Sequence, residues 1–354
     1  MTTASTPFIR PLSLAELLDQ AVSLYRRHFL TLVGIIAIPY IPLVLLQALM
    51  TYLMSSNTLN IASSTDPLAL FENSTYWGSL AGSIVVIVLQ FILVQGVATA
   101  VITRVVADSY TGRKIGILEA YGKLGTSWLR LLGAIIAMAL VAFVAMIWFI
   151  VPCVGWFTGF GILFFLGTVV SPLMVPVVIL ERQGGFSAFR RAWDLGRSRF
   201  WWMMGFASII FVLGQLIVNI PVYLVSFVMG ILLGSNQLDP QMVMVINNLL
   251  STLLVGSGNL LYLPLTLTAM TVVYFDLRIR SEGLDLALQA ASQTDPEANI
   301  ASLAETTPAG PQGSFITGTN ILYFFLLSLI VVLLYSVLSV GMLGLMIPFL
   351  GSIH

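Results

Sequence analysis

The sequence predicts an all-α protein: a polytopic transmembrane helical bundle with a six-helix core built from three repeats of interfacial amphipathic helix plus transmembrane hairpin, and an added seventh C-terminal span. Three observations carry that expectation. Of the 354 residues, 58% are hydrophobic and only 8% charged, against about 25% charged in a soluble domain, so the chain lacks the surface charge to dissolve. Charge-free runs occupy 29–54, 78–103, 131–180, 200–238, 240–275 and 306–353, each at least as long as the about 20 apolar residues that cross a bilayer as a helix. The run 131–180 suffices for two spans, broken at 152–156 (PCVGW), which makes seven. Finally, all 15 Lys and Arg residues fall on one side of that threading, in segments before span 1, between spans 2 and 3, between spans 4 and 5, and after span 6. By the positive-inside rule this places the N-terminus in the cytoplasm and the C-terminus outside a cell membrane.

Taken in chain order, the first 28 residues contain no apolar signal core, so span 1 is expected to act as an uncleaved anchor. The stretch LSLAELLDQAVSLYRR (12–27) reads as an amphipathic helix. Ser13 and Glu16 have capping-box spacing, and Leu14, Leu17, Leu18, Ala21 and Tyr25 share a face. Such a helix is expected to lie in the headgroup layer. Its pattern recurs: Ala21, Phe29 and Gly34, then Ala120, Trp128 and Gly133, then Ala192, Phe200 and Gly205 keep the spacing Ala-x7-aromatic-x4-Gly. Three matches in register with the topology mark three tandem units, starting near 12, 115 and 185. The organisation expected is a six-span membrane domain with cytoplasmic interfacial helices over 1–288, a flexible cytoplasmic linker over 289–319 that is rich in Ala, Ser, Thr, Pro and Gly, and a C-terminal transmembrane helix over 320–354. The loop 55–77 on the opposite side is polar.

Three stretches, LSLAELLDQAVSLYRRHFLTLVGIIAIPYIP, GFSAFRRAWDLGRSRFWWMMGF and VVYFDLRIRSEGLDL, together resemble the bacterial and archaeal glycerophosphodiester phosphodiesterase membrane-domain family. The resemblance spans roughly residues 10–288 and is most specific in the pattern Tyr274-x-Asp276-x-Arg278-x-Arg280-x-Glu282-Gly283. It implies the membrane architecture and not the activity. Some members of that family carry a fused phosphodiesterase barrel, and this chain has no length left for one.

The chemistry-bearing residues point away from catalysis. A divalent-metal phosphodiesterase needs clustered carboxylates and His, whereas this chain has His28 and His354 alone, with a single cysteine, Cys153. No metal or cofactor is expected, nor a disulfide within the chain. Ser257 has no neighbouring base in sequence to activate it. The spans carry almost no ionisable group, which disfavours an ion-driven pump. Two candidate sites remain. The first is a polar mid-membrane set, Gln90, Gln95, Gln215, Asn219 and Asn259, read either as interhelical glue or as a substrate site, with GSGNLLYLP (256–264) expected to interrupt span 6. The second is a set of docking or lipid-headgroup contacts, Arg190, Arg191, Arg197, Asp276, Arg278, Arg280 and Glu282. In the latter, Asp276 with Arg280 and Arg278 with Glu282 stand at i,i+4 pairing distance. The partners expected are membrane lipids and a membrane or cytoplasmic protein, and not nucleic acid, because the basic residues hug the membrane. The leading reading is a non-enzymatic membrane protein that organises lipid or partner proteins at the cytoplasmic face. The alternative is a transporter or channel for a small or amphipathic solute, and an enzyme acting on lipid ranks last.

Overall fold

The computed structural model describes residues 11–62, 73–109, 116–122, 125, 127–152, 154–234, 239–294, 314–315 and 317–350. Among these, all regular structure is helical, and six helices are long and apolar enough to cross a membrane. Eleven helices are used below. α1 (Leu14–Arg27) precedes span 1, α2 (Phe29–Ala62). Span 2 is α3 (Ser74–Ser109), followed by the short α4 (Ile117–Gly122). Spans 3 and 4 are α5 (Ser127–Ile150) and α6 (Val154–Leu180), and α7 (Gly185–Ser198) follows them. Spans 5 and 6 are α8 (Phe200–Leu232) and α9 (Pro240–Glu282). The chain continues into α10 (Leu284–Thr294) and, further on, α11 (Gly318–Leu350).

The bundle has an inner and an outer layer. In the apolar stretches of spans 2, 4 and 6, 39%, 61% and 67% of residues are buried, against 28%, 22% and 17% in spans 1, 3 and 5. The second helix of each hairpin therefore forms the centre, where α3, α6 and α9 pack together, and the first helix faces lipid. Residues such as Leu140, Phe143 and Val144 on α5 and Tyr223, Leu224 and Phe227 on α8 are exposed accordingly. In lipid such surfaces are the solvated ones, because hydrocarbon is as apolar as they are.

The repeat has a physical meaning that sequence could not supply. The three repeat alanines, Ala21, Ala120 and Ala192, are all at most 1% exposed. Each sits where a short helix caps the hairpin of the preceding unit. α4 lies on span 1, with the Ile117 side chain over Gly34, where a Cβ would stand 2.8 Å away. α7 lies on spans 3 and 4: Gly184 packs on Arg130 and Gly196 fits over Val169 and Phe165. α1 packs on α9, span 6, and closes the ring. Gly205, third in the series, faces open space. The apolar stripe of α1, with Leu17 and Ala21 buried, is covered by protein. An amphipathic period shows that a face is apolar and does not distinguish lipid from helix as its cover.

Several helices are irregular, and tyrosines attend the irregularities. Pro39 lacks the N–H that would bond the carbonyl of Ile35, and the Tyr121 hydroxyl donates to that carbonyl at 2.7 Å. The Tyr25 hydroxyl donates to the carbonyl of Leu261 at 2.9 Å, beside Pro264. Tyr262 donates to the carbonyl of Ile210 at 2.9 Å, against Gly214, where span 5 passes into a π-helical segment, Gln215–Asn219. Spans 2 and 4 carry π-helical segments at Phe91–Ala98 and Leu166–Val170. In hydrocarbon a freed carbonyl must find a donor inside the protein, and at Ile35 the Tyr121 hydroxyl supplies it.

Other expectations shift. α9 runs unbroken through 256–264 for its 43 residues, so span 6 has no interruption there. Its glycines serve close packing instead: a Cβ on Gly256 would stand 2.5 Å from Val44, and one on Gly258 would stand 2.9 Å from the Val218 backbone. Span 3 tightens into a 3-10 turn at Trp148–Ile150 before the chain turns at 151–152, and Gly155 fits where a Cβ would meet the Trp148 carbonyl. Cys153 lies outside the described residues. Helix α2 persists to Ala62, inside the expected polar loop, and 63–72 lie outside the described residues. α10 reaches Thr294, inside the expected linker, of which 295–313 and 316 are likewise outside. α11 packs on α6, where Gly161 N–H donates to Ser328 Oγ at 2.6 Å and the two backbones come close enough to exclude any larger residue at 161.

Candidate functional site: a buried ion ring at the basic end

The site is built by three elements meeting at the end of the bundle that carries the arginines. Glu181 caps the C-terminal end of α6. Arg191 lies at mid-helix in α7, on the face that packs on spans 3 and 4. Tyr274, Arg278 and Glu282 stand at i, i+4 and i+8 on one face of the last turns of α9, which stops at Gly283 in the left-handed conformation that glycine tolerates (φ 64°).

Their side chains form a closed ring. Arg191 Nε donates to Glu181 Oε2 at 2.9 Å, and Arg191 Nη1 pairs with Glu282 Oε1. Arg278 Nε donates to Glu282 Oε2 at 2.7 Å, and Arg278 Nη1 lies 3.8 Å from Glu181 Oε1. The Tyr274 hydroxyl donates to Glu181 Oε1 at 2.9 Å and accepts from Arg278 Nη1 at 3.3 Å. The four charged side chains are 0–6% exposed. Two carboxylates and two guanidinium groups sum to zero charge. A buried pair is tolerated only when each charge is matched and its hydrogen-bonding capacity is used, and each carboxylate here binds both arginines. Burial disfavours the Arg191 charge, but hydrogen bonds to Glu282 and Glu181 outweigh it and hold the guanidinium above its ordinary pKa. It stays charged at any accessible pH.

A second clasp sits beside the ring. Asp276, 2% exposed, accepts from the backbone N–H of Leu12 at 2.8 Å and from Arg280 Nε at 2.8 Å. Arg280 Nη2 in turn donates to the Leu12 carbonyl at 2.5 Å. This ties the residues just before α1 to span 6. Arg190 and Arg197 stand on a different face of α7 from Arg191, largely covered, and share Asp194, at 3.0 and 2.8 Å. The seven docking candidates from sequence thus divide in two: Arg191, Arg278 and Glu282 in the ring with Asp276 and Arg280 in the adjoining clasp, and Arg190 with Arg197 around Asp194 on α7. Sequence reasoning missed Glu181 and Tyr274. Glu181 is the first charge after the longest apolar run and Tyr274 heads the family-like pattern, so each had a signal.

The mid-membrane amides do not gather into one place. Gln90 and Asn259 both hydrogen-bond the hydroxyl of Tyr40, a buried residue of α2. Asn219 donates to Gln215 at 2.5 Å within the π-helical turn of span 5. Gln95 has an exposed side chain in the π-helical segment of span 2. An open apolar groove of about 430 Å³ lies elsewhere, between α6 and α11, lined by Val154, Phe157, Ile321 and Phe325 among others.

Chemically, the ring is charge-balanced, with Arg191 Nη2 buried and left without a hydrogen-bond partner. Its carboxylates are held by arginines and a phenol, an arrangement suited to fixing helices and not to transferring protons. Among the described residues no three His, Cys, Asp or Glu side chains converge as metal ligands would. Compared with protein-family models, with curated proteins and with solved structures, the chain matches none.

Proposed function

We propose that this integral membrane protein is a non-enzymatic scaffold that organises lipid or partner proteins at the cytoplasmic face of the cell membrane, with its N-terminus in the cytoplasm and its C-terminus outside. The architecture we assign to it is that of the glycerophosphodiester phosphodiesterase membrane-domain family. The observation that carries the reading is the ion ring. Glu181, Arg191, Arg278 and Glu282 spend their charge on one another. They lock α7 to the ends of spans 4 and 6, while the outward face of α1 remains polar, with Glu16, Asp19, Arg26 and Arg27 exposed. A rigid charged end that presents helix faces suits holding a partner or headgroups more than turning over a substrate. The test is gentle extraction into lipid nanodiscs followed by native mass spectrometry. A stoichiometric partner or retained anionic lipid is expected, and a lipid-free monomer without company contradicts the reading.

A second reading, a transporter for a small or amphipathic solute, draws on the Tyr40–Gln90–Asn259 cluster and the π-helical turns, which recur at functional sites. Proteoliposome flux that falls in Gln90→Ala and Asn259→Ala variants would favour it over the scaffold.

A further inference from the structure

The geometry points to a peptide-binding slot on α7 that recognises an aromatic residue in the non-helical stretch just ahead of a transmembrane helix, and that the chain fills in cis with Ser314–Phe315. This inference rests on the scaffold reading and names the class of polypeptide the scaffold holds. The observations are local and converge on one residue. Phe315 lies outside any helix, three residues before α11. Its ring stacks on Trp193 at 5.2 Å with an interplanar angle of 8°. The Arg190 guanidinium stands 4.8 Å from the ring centroid on a cation–π contact. Phe189 and Phe186 complete the wall at 6.1 and 6.4 Å. Two donors then converge on the Phe315 carbonyl, Trp193 Nε1 and Arg197 Nη1, both at 3.1 Å, and Arg197 Nη1 also reaches the Ser314 carbonyl at 2.6 Å.

The slot is held by contacts other than those to its occupant. Trp193 packs edge-on against Phe165 of α6. Asp194 holds both Arg190 and Arg197. Phe189 is fully buried and Trp193 nearly so. Walls fixed in this way are already organised when a ligand arrives, which is what makes a surface a site rather than a contact formed by its guest. The two donors aimed at one carbonyl select an irregular backbone, because a carbonyl inside a helix is already occupied. The aromatic stack and the cation select the ring. An aromatic residue in the stretch ahead of a helix satisfies both demands, and in this chain Phe315, just ahead of α11, is the occupant.

The experiment empties the slot and offers a probe. Full-length Phe315→Ala and Phe315→Leu proteins in detergent are heated with and without N-acetyl-phenylalaninamide, with N-acetyl-leucinamide as the control. We expect a saturable rise of at least about 2 °C in the unfolding midpoint of either variant with the aromatic amide, as a ligand that binds the folded state must give. No rise is expected in the parent, where Phe315 occupies the slot, and a smaller one in Phe315→Leu combined with Trp193→Phe, which keeps a ring and loses the donor. The inference is overturned by no rise in both single variants, or by an equal rise in the parent or with the leucine amide. Failure here leaves retention of partner or lipid in nanodiscs unaffected, so the two ideas fall separately.

Discussion

Replacing Arg278 with methionine keeps most of the side chain's bulk and removes one of the two guanidinium groups in the ion ring. The ring then holds two carboxylates, Glu181 and Glu282, and one cation, Arg191, so its charge passes from zero to −1 in a place where the charged side chains are 0–6% exposed. Removing one partner of a buried ion pair costs about 3–5 kcal/mol, because the remaining charge stays desolvated. Glu282→Gln makes the opposite imbalance, +1, and is expected to cost a similar amount. If the effects were independent, the double variant would cost about 6–10 kcal/mol. If the ring is one balanced unit, the double variant restores zero charge, leaves the Glu181–Arg191 pair at 2.9 Å, and is no less stable than either single variant. Equilibrium unfolding in mixed micelles, followed by circular dichroism, measures all four corners of the cycle. Additive losses would refute the ring as a unit, and a cost below about 1 kcal/mol for Arg278→Met would refute its burial.

Three further expectations are independent of that cycle. Arg278→Glu puts a third carboxylate into the ring, so topology reporters should show normal insertion while limited proteolysis finds the basic end loosened; intact protease resistance would leave Arg278 a plain membrane anchor. Gly258→Val places a side chain where even a Cβ would stand 2.9 Å from the Val218 backbone, so spans 5 and 6 must part and stability should fall by about 1–3 kcal/mol in the same unfolding assay, with no change counting against the close contact. Tyr40→Phe removes the hydroxyl shared by Gln90 and Asn259, and a loss of about 0.6–1.7 kcal/mol with unaltered solute flux is expected if the cluster is glue.

Hydropathy made the spans legible because the bilayer imposes length and composition on any helix that crosses it. The pairs Asp276–Arg280 and Arg278–Glu282 were legible too, since i,i+4 spacing is local, and both pairs form. Glu181 was not, because its partners Arg191, Tyr274 and Arg278 come from two other elements and only packing brings them together. The same limit applied to α1. Its stripe of Leu14, Leu17, Leu18 and Ala21 declared an apolar face, but the face is covered by a span that follows about two hundred residues later. Glycine at 256 and 258 was ambiguous between breaking a helix and letting two helices approach, and the neighbours Val44 and Val218 decide for approach. The π-helical turns carry no sequence period of their own, so Gln95, Gln215 and Asn219 could not be placed in advance relative to Gln90 and Asn259.

The arrangement of capping helices, each seated on the preceding unit with α1 closing the ring on span 6, is tested most directly by a covalent substitute for the Leu12–Asp276 clasp. In a Cys153→Ser background, Leu12→Cys with Asp276→Cys should oxidise to a link between residues 264 positions apart, seen as a shift in gel mobility. Leu30→Cys with Asp276→Cys, in which position 30 is 82% exposed, should not link. A folded protein in which the first pair stays reduced, or in which both pairs link alike, would contradict the closed ring.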